Sequence, residues 1–424
     1  MLPRFGSPGA GPGHRLDGTS AAWRGAARVH HVGRGGCRYR LYQRWLRPTR
    51  TSREGDRSRV FRCSLGPIQA RRGGMRLSPR PLRIAHVGPV ATSIPPPKSG
   101  SVETMTSLLT EGLVASGHDV TLFATADSIT DAKLHATYSQ GYWHDEKMWP
   151  WELYEMLNLS AAVERARDFD VIHYEAPYYP MAMAFARLSP TPIVQTLHHA
   201  PTPEEIGLWS RYPEAPFVAI SQEQARLLGG VSVVGVVLHG IDTEVFTFRA
   251  DPDDYVLFLG RFTEGKGVLQ AIEVAKRTGM RLIIAAGEDA YYHEHVARHV
   301  DGERVVYFGE ADHAAKVELC GGARALLYPI QEPEPFGLVL IEAMACGTPV
   351  AALDKGAVRE VVDDGVTGIV FNDLEQMIAE LGSVIRLDRS AVRARAGTRF
   401  GVQRMVDEYV DVYRGIVDLE RGLP

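Results

Sequence analysis

From residue 82 onward, short apolar runs alternate with stretches of helical periodicity, and this alternation limits the choice of fold more than any other feature. Apolar runs bounded by turn residues are typical of strands buried in a parallel sheet, and helices between them indicate βαβ units. The predicted strands are Leu82–Val87, Asp119–Ala124, Asp170–Tyr174, Pro192–Thr196 and Phe217–Ile220, followed by Tyr255–Leu259, Arg281–Ala286, Val305–Phe308, Ala325–Tyr328 and Val350–Ala352.

A polar segment with a proline, residues 243–254, divides this alternation into two series and is interpreted as a linker. We therefore predict an α/β protein with two Rossmann-like, doubly wound domains facing a cleft, over residues 75–246 and 247–398. Residues 399–424 are predicted to form a last helix that crosses back to the first domain. The predicted helices are Val102–Ser116, Val268–Arg277, Ala314–Cys320, Gly337–Ala345 and Val402–Arg414.

The first 74 residues differ in kind from the rest of the chain. They hold 16 Arg, no Lys and three acidic residues, which gives a net charge of +13. Since the whole chain has a net charge of −4, the remaining 350 residues carry −17. This Gly-, Arg- and Pro-rich segment is predicted to be disordered. It is typical of a nucleic-acid or anionic-lipid arm, of a transit peptide, or of an upstream mis-start with Met75 as the true first residue. We favour the last interpretation.

Several classes of protein find no support in the sequence. No apolar run reaches the roughly 18 residues of a membrane-spanning helix, and no secretory signal precedes the first strand. No GxGxxG follows that strand, so a dinucleotide site is not indicated. The cysteines lack zinc-site spacing, which predicts a reducing, cytoplasmic compartment and no structural metal. They are Cys37, Cys63, Cys320 and Cys346.

A glycine-rich loop with two bases, residues 260–267, lies between a predicted strand and a predicted helix. Glycines permit close backbone approach, the helix start offers free N–H groups, and Arg261 and Lys266 add positive charge, as a diphosphate requires. The loop nearly spells a Walker A motif, but Gly267 stands where that motif has Ser or Thr, which counts against an ATPase. The alternative is a surface turn with two solvated bases.

A second motif, residues 329–344, combines prolines, acids and a helix start. Pro335 suits a first helical turn, and Glu334 is expected in the loop before the helix, facing the cleft. Glu342 lies about 12 Å further along the helix axis, so the two carboxylates can accept hydroxyl groups at separate points of one extended ligand. The backbone N–H groups of Phe336, Gly337 and Leu338 are expected to face a phosphate. The alternative is a helix N-terminus with its ordinary acidic preference.

Together these motifs resemble the family 4 glycosyltransferases, which are retaining enzymes with the two-domain GT-B fold. The resemblance extends from about residue 82 to 413. It implies that Glu334 binds the hydroxyls of the transferred sugar, that Glu342 binds the ribose, and that Arg261 and Lys266 neutralise the diphosphate leaving group. The motifs that carry it are Glu334-x7-Glu342, Arg261-x4-Lys266, Gly347-Thr-Pro349 and Gly365-x-x-Gly368.

The first half adds two further matches. The Pro-rich loop ending at Gly100 resembles the family's flexible loop near the phosphates, although Ser101 replaces the usual second glycine. Thr196-Leu-His198 resembles the family's Thr-x-His, which implies that His198 lies by the donor sugar, as a catalytic residue beside Arg261, Lys266 and Glu334. The adjacent His199 is left open as the alternative.

The resemblance implies transfer of a hexose from a nucleotide sugar, with UDP-glucose favoured, by front-face attack without a metal or other cofactor. Asp251-Pro-Asp253 is interpreted as a turn in the linker and not as a metal site.

The acceptor is left open among a small molecule, a lipid and a glycan. A peripheral membrane contact is allowed, and no nucleic acid is expected. Trp143, Trp149 and Trp151 either shape the acceptor site or pack in the core.

Two rival functions are kept. The first is a sugar-nucleotide epimerase or a phosphorylase on the same architecture. The second is a non-enzymatic nucleic-acid-binding protein that uses the basic first 74 residues.

Overall fold

The computed structural model describes residues 80–98 and 100–420, without the side chain of Glu420. The expectations for residues 1–74 and for a start at Met75 lie outside these residues. Within them, no helix is both long enough and apolar enough to cross a membrane.

The first half of the chain forms a fully parallel sheet. Its strands are β1 (Arg83–Val87), β2 (Asp119–Thr125), β3 (Lys133–Tyr138), β4 (Val171–Ala176), β5 (Ile193–Leu197), β6 (Phe217–Ala219) and β7 (Val233–Val236). Their order is β3-β2-β1-β4-β5-β6-β7, so the winding reverses between β1 and β4. Ligands of such sheets bind beyond the carboxyl ends of the strands at the reversal.

Helices cover both faces of this sheet: Leu109 lies in the same apolar cluster as Ile84, and Leu159 lies in the cluster of Ala85, on the opposite face. They are α1 (Ser101–Ala115), α2 (Trp151–Glu164), α3 (Met183–Ala186), α4 (Pro203–Trp209) and α5 (Gln222–Leu227). Helix α4 begins with a reciprocal capping box, in which Thr202 and Glu205 satisfy each other's backbone N–H groups.

The second half repeats the plan with β8 (Val256–Leu259), β9 (Leu282–Ala285), β10 (Val305–Gly309), β11 (Leu326–Tyr328), β12 (Val350–Leu353) and β13 (Gly368–Phe371). The order β10-β9-β8-β11-β12-β13 is again parallel throughout, and the reversal lies between β8 and β11. The helices are α6 (Val268–Thr278), α7 (His313–Gly322), α8 (Leu338–Ala345), α9 (Val358–Val361), α10 (Leu374–Ile385) and α11 (Arg389–Phe400). A π-helical turn spans Tyr292–Val296.

The last helix, α12 (Val402–Glu420), packs against α1 in the core of the first domain. Gly112 of α1 permits this contact, since a Cβ there would lie 2.4 Å from Cγ2 of Val406. Tyr409 and Tyr413 are almost completely buried beside Leu113. The rest of the shared core includes Leu109, Met405 and Val406.

The two parallel sheets confirm the predicted doubly wound α/β architecture. Three strands were missed, namely β3, β7 and β13. Both β3 and β7 are edge strands with half-exposed or exposed side chains, so they lack the apolar run by which a buried strand is recognised. The third, β13, has only four residues and starts at Gly368.

Candidate functional site

Lys266 and Glu334 come from separate loops of the second domain and meet as an ion pair. Lys266 ends a 3₁₀ turn after β8, and its Nζ lies 2.6 Å from Oε2 of Glu334, which follows β11. Burial beside Glu334 raises the pKa of Tyr328, so its hydroxyl keeps the proton that it donates to the same oxygen. Both contacts use Oε2 and hold the Glu334 side chain in place.

Gly267 explains why the loop departs from a Walker A motif. Its φ is +75°, in the left-handed region, and a Cβ there would lie 2.0 Å from the carbonyl oxygen of Pro329. A serine or threonine would therefore push apart the two loops that carry Lys266 and Glu334.

The backbone of Glu334 is fixed from its other side by the segment that precedes α9. Its carbonyl accepts a hydrogen bond from Ala357 N–H at 2.8 Å. A Cβ on Gly356 would lie 2.3 Å from that carbonyl oxygen, so only glycine allows the approach. The roles of Gly356 and Tyr328 could not be predicted from the sequence, because they depend on contacts between distant loops.

Arg261 is exposed at the start of the same loop as Lys266. It forms no ion pair with any residue that the structure describes, so its guanidinium is available to a ligand.

Glu342 lies on α8, and its Oε1 is 2.7 Å from Nζ of Lys316 on α7. This partner was not foreseen. The helix itself begins at Leu338, so the expected place of Pro335 in its first turn is wrong. Gly337 precedes the helix with a φ of +93°, and no side chain caps the helix start. The first amides of α8 are therefore free of a side-chain partner, as an anion site requires.

His198 and His199 point to different partners. Nε2 of His198 lies 2.7 Å from Oε2 of Glu175, and the His198 side chain is almost buried. His199 instead pairs with Glu205 of α4 at 3.2 Å and lies against Trp209. The two neighbours thus belong to different environments.

Glu175 is the centre of a buried cluster that sequence reasoning missed. Its Oε1 lies 3.0 Å from Nε2 of His86 and 3.7 Å from Nε2 of His173. Burial alone would raise the pKa of Glu175, but the imidazoles of His173, His198 and His86 hold it well below its ordinary value. The available signal was a histidine and an acid two residues apart, His173 and Glu175, inside the buried strand β4.

His86, His173 and Glu175 are also the one group with metal-binding geometry in the described part of the chain, with ligand atoms within 4.8 Å of one another. Each of these atoms already has a hydrogen-bond partner or ion-pair contact inside the protein. In the predicted turn after β7, Asp253 is held by Arg249 at 2.6 Å.

Aromatic rings connect this cluster to the second domain. The ring of His198 stacks on His239 at 5.3 Å, and His239 meets the edge of Phe336 at 4.9 Å. Burial lowers the pKa of His239 to about 3, so this ring is neutral at neutral pH. Phe336 is itself buried. Only its backbone can therefore contact a ligand.

Gly100 caps α1 and lies against the Pro-rich loop. A Cβ on Gly100 would lie 2.9 Å from Cβ of Pro96, so glycine allows the loop to close on the helix start. Ser101, which replaces the family's second glycine, is the exposed first residue of α1.

Polar contacts also join the two domains across the cleft. The carboxylate of Glu360, on α9, accepts hydrogen bonds from the backbone N–H groups of Gln222 and Glu223, both at 2.6 Å. It thereby satisfies the first two amides of α5, and the hydroxyl of Ser221 accepts from the third, Gln224 N–H.

An aromatic pocket of about 340 Å³ opens on the first domain. Trp143 and Trp149 are 55% and 73% exposed, so they do not pack in the core. Trp151 stacks on Tyr179 and meets the edge of Tyr178, which follows β4. The pocket is therefore built beside the carboxyl end of the sheet.

Two family models match the chain. Residues 102–245 match Glycosyltransferase Family 4, and residues 242–398 match Glycosyl transferases group 1. A phosphatidyl-myo-inositol mannosyltransferase of Mycolicibacterium smegmatis is 31% identical over 260 residues, which are 55% of this chain and 67% of the relative.

Solved structures share the fold. AviGT4, a glycosyltransferase involved in avilamycin A biosynthesis, has a TM-score of 0.60 and 23% identity, covering 80% of this chain and 98% of that one. HepE of Anabaena, solved with UDP and glucose, has a TM-score of 0.59 and 19% identity, covering 79% and 100%. With its two parallel sheets and this set of matches, the chain belongs to glycosyltransferase family 4 and has the GT-B fold.

Proposed function

We propose that the protein transfers a hexose from a UDP-sugar to an acceptor with retention of configuration and without a metal ion. The observation that carries this proposal is the Lys266–Glu334 pair, in which a cation and a carboxylate are held 2.6 Å apart at the carboxyl edge of the second sheet. A sugar diphosphate presents the matching groups, hydroxyls for the carboxylate and phosphate oxygens for the cation.

Each part of the donor has a partner in this proposal. Arg261, Lys266 and the first amides of α8 stabilise the negative charge that develops on the leaving diphosphate. Glu334 binds sugar hydroxyls through Oε1, with His198 nearby, while Glu342 binds the ribose. Gly100 borders the phosphates. The same set accounts for catalysis without any further cofactor.

Retention follows from front-face attack through a short-lived ion pair, a path that needs no strong nucleophile from the protein. The hydrogen bond from Tyr328 and the ion pair with Lys266 withdraw charge from Glu334, which makes it a poor nucleophile and supports this path. Metal independence is supported by Arg249, which engages Asp253 of the Asp-Pro-Asp sequence.

UDP-glucose is the favoured donor because a protein of the same fold, HepE, was solved with UDP and glucose. The mannosyltransferase relative makes a mannose donor the alternative. An epimerase or phosphorylase is disfavoured by the membership in family 4.

We assign the acceptor to the aromatic pocket of the first domain. Its described lining carries aromatic rings with the carboxylates of Asp145 and Glu146, and no Lys, Arg or His. Aromatic faces and carboxylates suit a neutral acceptor with an apolar or sugar ring, whereas an anionic phosphate would be repelled.

The test is a transfer assay with purified protein, labelled UDP-glucose and GDP-mannose, and a panel of neutral glycosides, with and without EDTA. We expect UDP release and an α-linked product whose yield EDTA leaves unchanged. A β-linked product would refute retention, and loss of product with EDTA would refute metal independence. Recovery of an epimerised sugar nucleotide without transfer would support the epimerase instead.

A further inference from the structure

Glu175 is a single carboxylate on which three buried imidazoles converge, and its contacts fix where the protons of the cluster lie. Its Oε2 meets Nε2 of His198 at 2.7 Å, and its Oε1 meets Nε2 of His86 at 3.0 Å. A carboxylate only accepts hydrogen bonds, so His198 must carry a proton on Nε2. Among the described residues, no hydrogen bond reaches Nδ1 of His198.

The hydrogen-bond donors and acceptors around His86 determine where its protons lie. The hydroxyl of Thr110 gives its one proton to the carbonyl oxygen of Thr106 at 2.7 Å, because a carbonyl has none to give. The same hydroxyl lies 2.7 Å from Nδ1 of His86 and must accept there, so Nδ1 is protonated. The 3.0 Å contact between Nε2 and Glu175 then needs a further proton, which this pair shares.

That shared proton balances the charge of Glu175 inside a region that excludes water. His198 therefore needs no charge of its own. As a neutral imidazole protonated on Nε2, it keeps a lone pair on Nδ1.

The C-terminal helix closes the far side of the cluster. Burial raises the pKa of Tyr413, so its hydroxyl keeps its proton and donates it to Nδ1 of His173 at 2.7 Å. Nε2 of His173 therefore carries a proton, which it donates to Thr196 at 2.8 Å. Thr196 in turn contacts Tyr409 at 2.9 Å. Both ring nitrogens of His173 therefore have partners, and this ring supports the cluster from the side of the C-terminal helix.

We propose that Glu175 is a positioning residue for His198: it fixes the imidazole in the Nε2–H form and leaves Nδ1 to accept a hydrogen bond from a hydroxyl of the transferred sugar. This role rests on the proposed function, since it assigns a task to His198 at the donor site. It also extends the donor machinery to a residue that no motif in the sequence marks.

The experiment reads the tautomer directly, by side-chain ¹⁵N NMR of the full chain without donor, with the His198 signals assigned from His198→Gln. We expect an unprotonated Nδ1 in the wild type. Glu175→Leu should give a mixture of tautomers and a kcat lower by roughly 10- to 100-fold, as for outer carboxylates that orient functional histidines.

Glu175→Gln is the conservative variant. Its amide oxygen can accept from His198 while its NH₂ donates to a neutral His86, so we expect the wild-type tautomer and kcat within about threefold of wild type. Glu155→Gln, at another buried carboxylate of the first domain, is the matched control and should leave the His198 signals in place.

A protonated Nδ1 of His198 in the wild type overturns the proposal, even if Glu175→Leu does not fold. An unchanged tautomer and kcat in folded Glu175→Leu overturn it as well. Failure of the proposed function has a different signature, the absence of transfer by the wild type from either UDP-glucose or GDP-mannose.

Discussion

The two domains differ in how the charged groups of the candidate site are paired. We call the residues around Glu175 in the first domain the first wall, and those around Lys266 and Glu334 in the second domain the second wall. In the first domain, Glu175 is buried and already matched by His86 and His198, so it is paired without any ligand. In the second domain, Lys266 is 27% exposed and Arg261 is exposed and unpaired among the described residues. In the first domain the buried charge is therefore paired internally, whereas the second domain combines the Lys266–Glu334 ion pair with Arg261, which has no ion-pair partner among the described residues.

This difference follows from what each wall contacts. A buried carboxylate must find partners inside the protein, because an unpaired charge there carries a large desolvation penalty. An exposed cation such as Arg261 remains hydrated until a diphosphate displaces the water, so its attraction to the ligand is retained for the bound state. Substitutions in the second wall should therefore act on transfer, and those in the first wall should act on stability as well.

The largest effect is expected from Lys266→Ala. It removes a cation from the leaving group, and we expect turnover to fall by roughly 10²-fold or more, by analogy with the loss of one oxyanion donor. Steady-state assays of UDP release measure it. Lys276→Ala, at the exposed lysine of α6 that contacts His299, is the matched control. Near-normal turnover in Lys266→Ala would contradict the role assigned to the second wall.

Lowering the pH should destabilise the protein through the buried His239 of the first domain. His239 has a pKa of about 3 when buried, against about 6.5 in the unfolded chain, so below pH 6.5 only the unfolded chain binds this proton. Stability is therefore lost as the pH falls from about 6.5 towards 3, by about 1.4 kcal/mol per pH unit for each such proton. His239→Phe should reduce the slope of the free energy of unfolding against pH by the contribution of one proton. Urea unfolding between pH 6 and pH 4 measures this slope.

The exposed His293 serves as the control for that experiment, because its side chain is 62% exposed. His293→Phe, which removes an exposed histidine, is compared with His239→Phe in the same measurement. An equal slope in wild type and His239→Phe would show that the buried ring takes up a proton in the native state.

A smaller effect is expected from Glu342→Gln. The amide loses the charge that attracts ribose hydroxyls and leaves Lys316 without its ion pair, so we expect donor KM to rise by about 5- to 10-fold. The ribose is remote from the bond that breaks, so kcat should change little. Glu375→Gln, on the exposed pair with Arg277, is the control. A fall in kcat at constant KM would argue against ribose binding.

The smallest effect should come from Glu360→Gln, which touches neither wall. It weakens the charge-assisted cap between α9 and α5 without removing it. We expect donor KM to rise by about two- to threefold, with an increased radius of gyration by small-angle X-ray scattering. Asp388→Asn, at the cap of α11 within the second domain, should not change the radius.

The second wall could be predicted from the sequence, and the first only in part. Lys266 and Glu334 belong to compact motifs that each follow a predicted strand, and the resemblance to family 4 implied that both contribute to one donor site. Glu175 and His86 are joined by pairing between β1 and β4, strands that lie about 90 residues apart, and no local pattern reports such a contact. Lys316 was missed for the same reason, since it reaches Glu342 from another helix.

Helix α12 has a consequence for how the chain reaches its native state. The first domain buries Met405, Tyr409 and Tyr413 from the far end of the sequence, about 300 residues after β1. During synthesis on the ribosome, that domain emerges early but lacks these side chains until the last helix has been translated. The second domain has all its strands and can close its own core first. Contacts of such long sequence separation slow folding, so shortening α12 should trap the first domain in an open, aggregation-prone form.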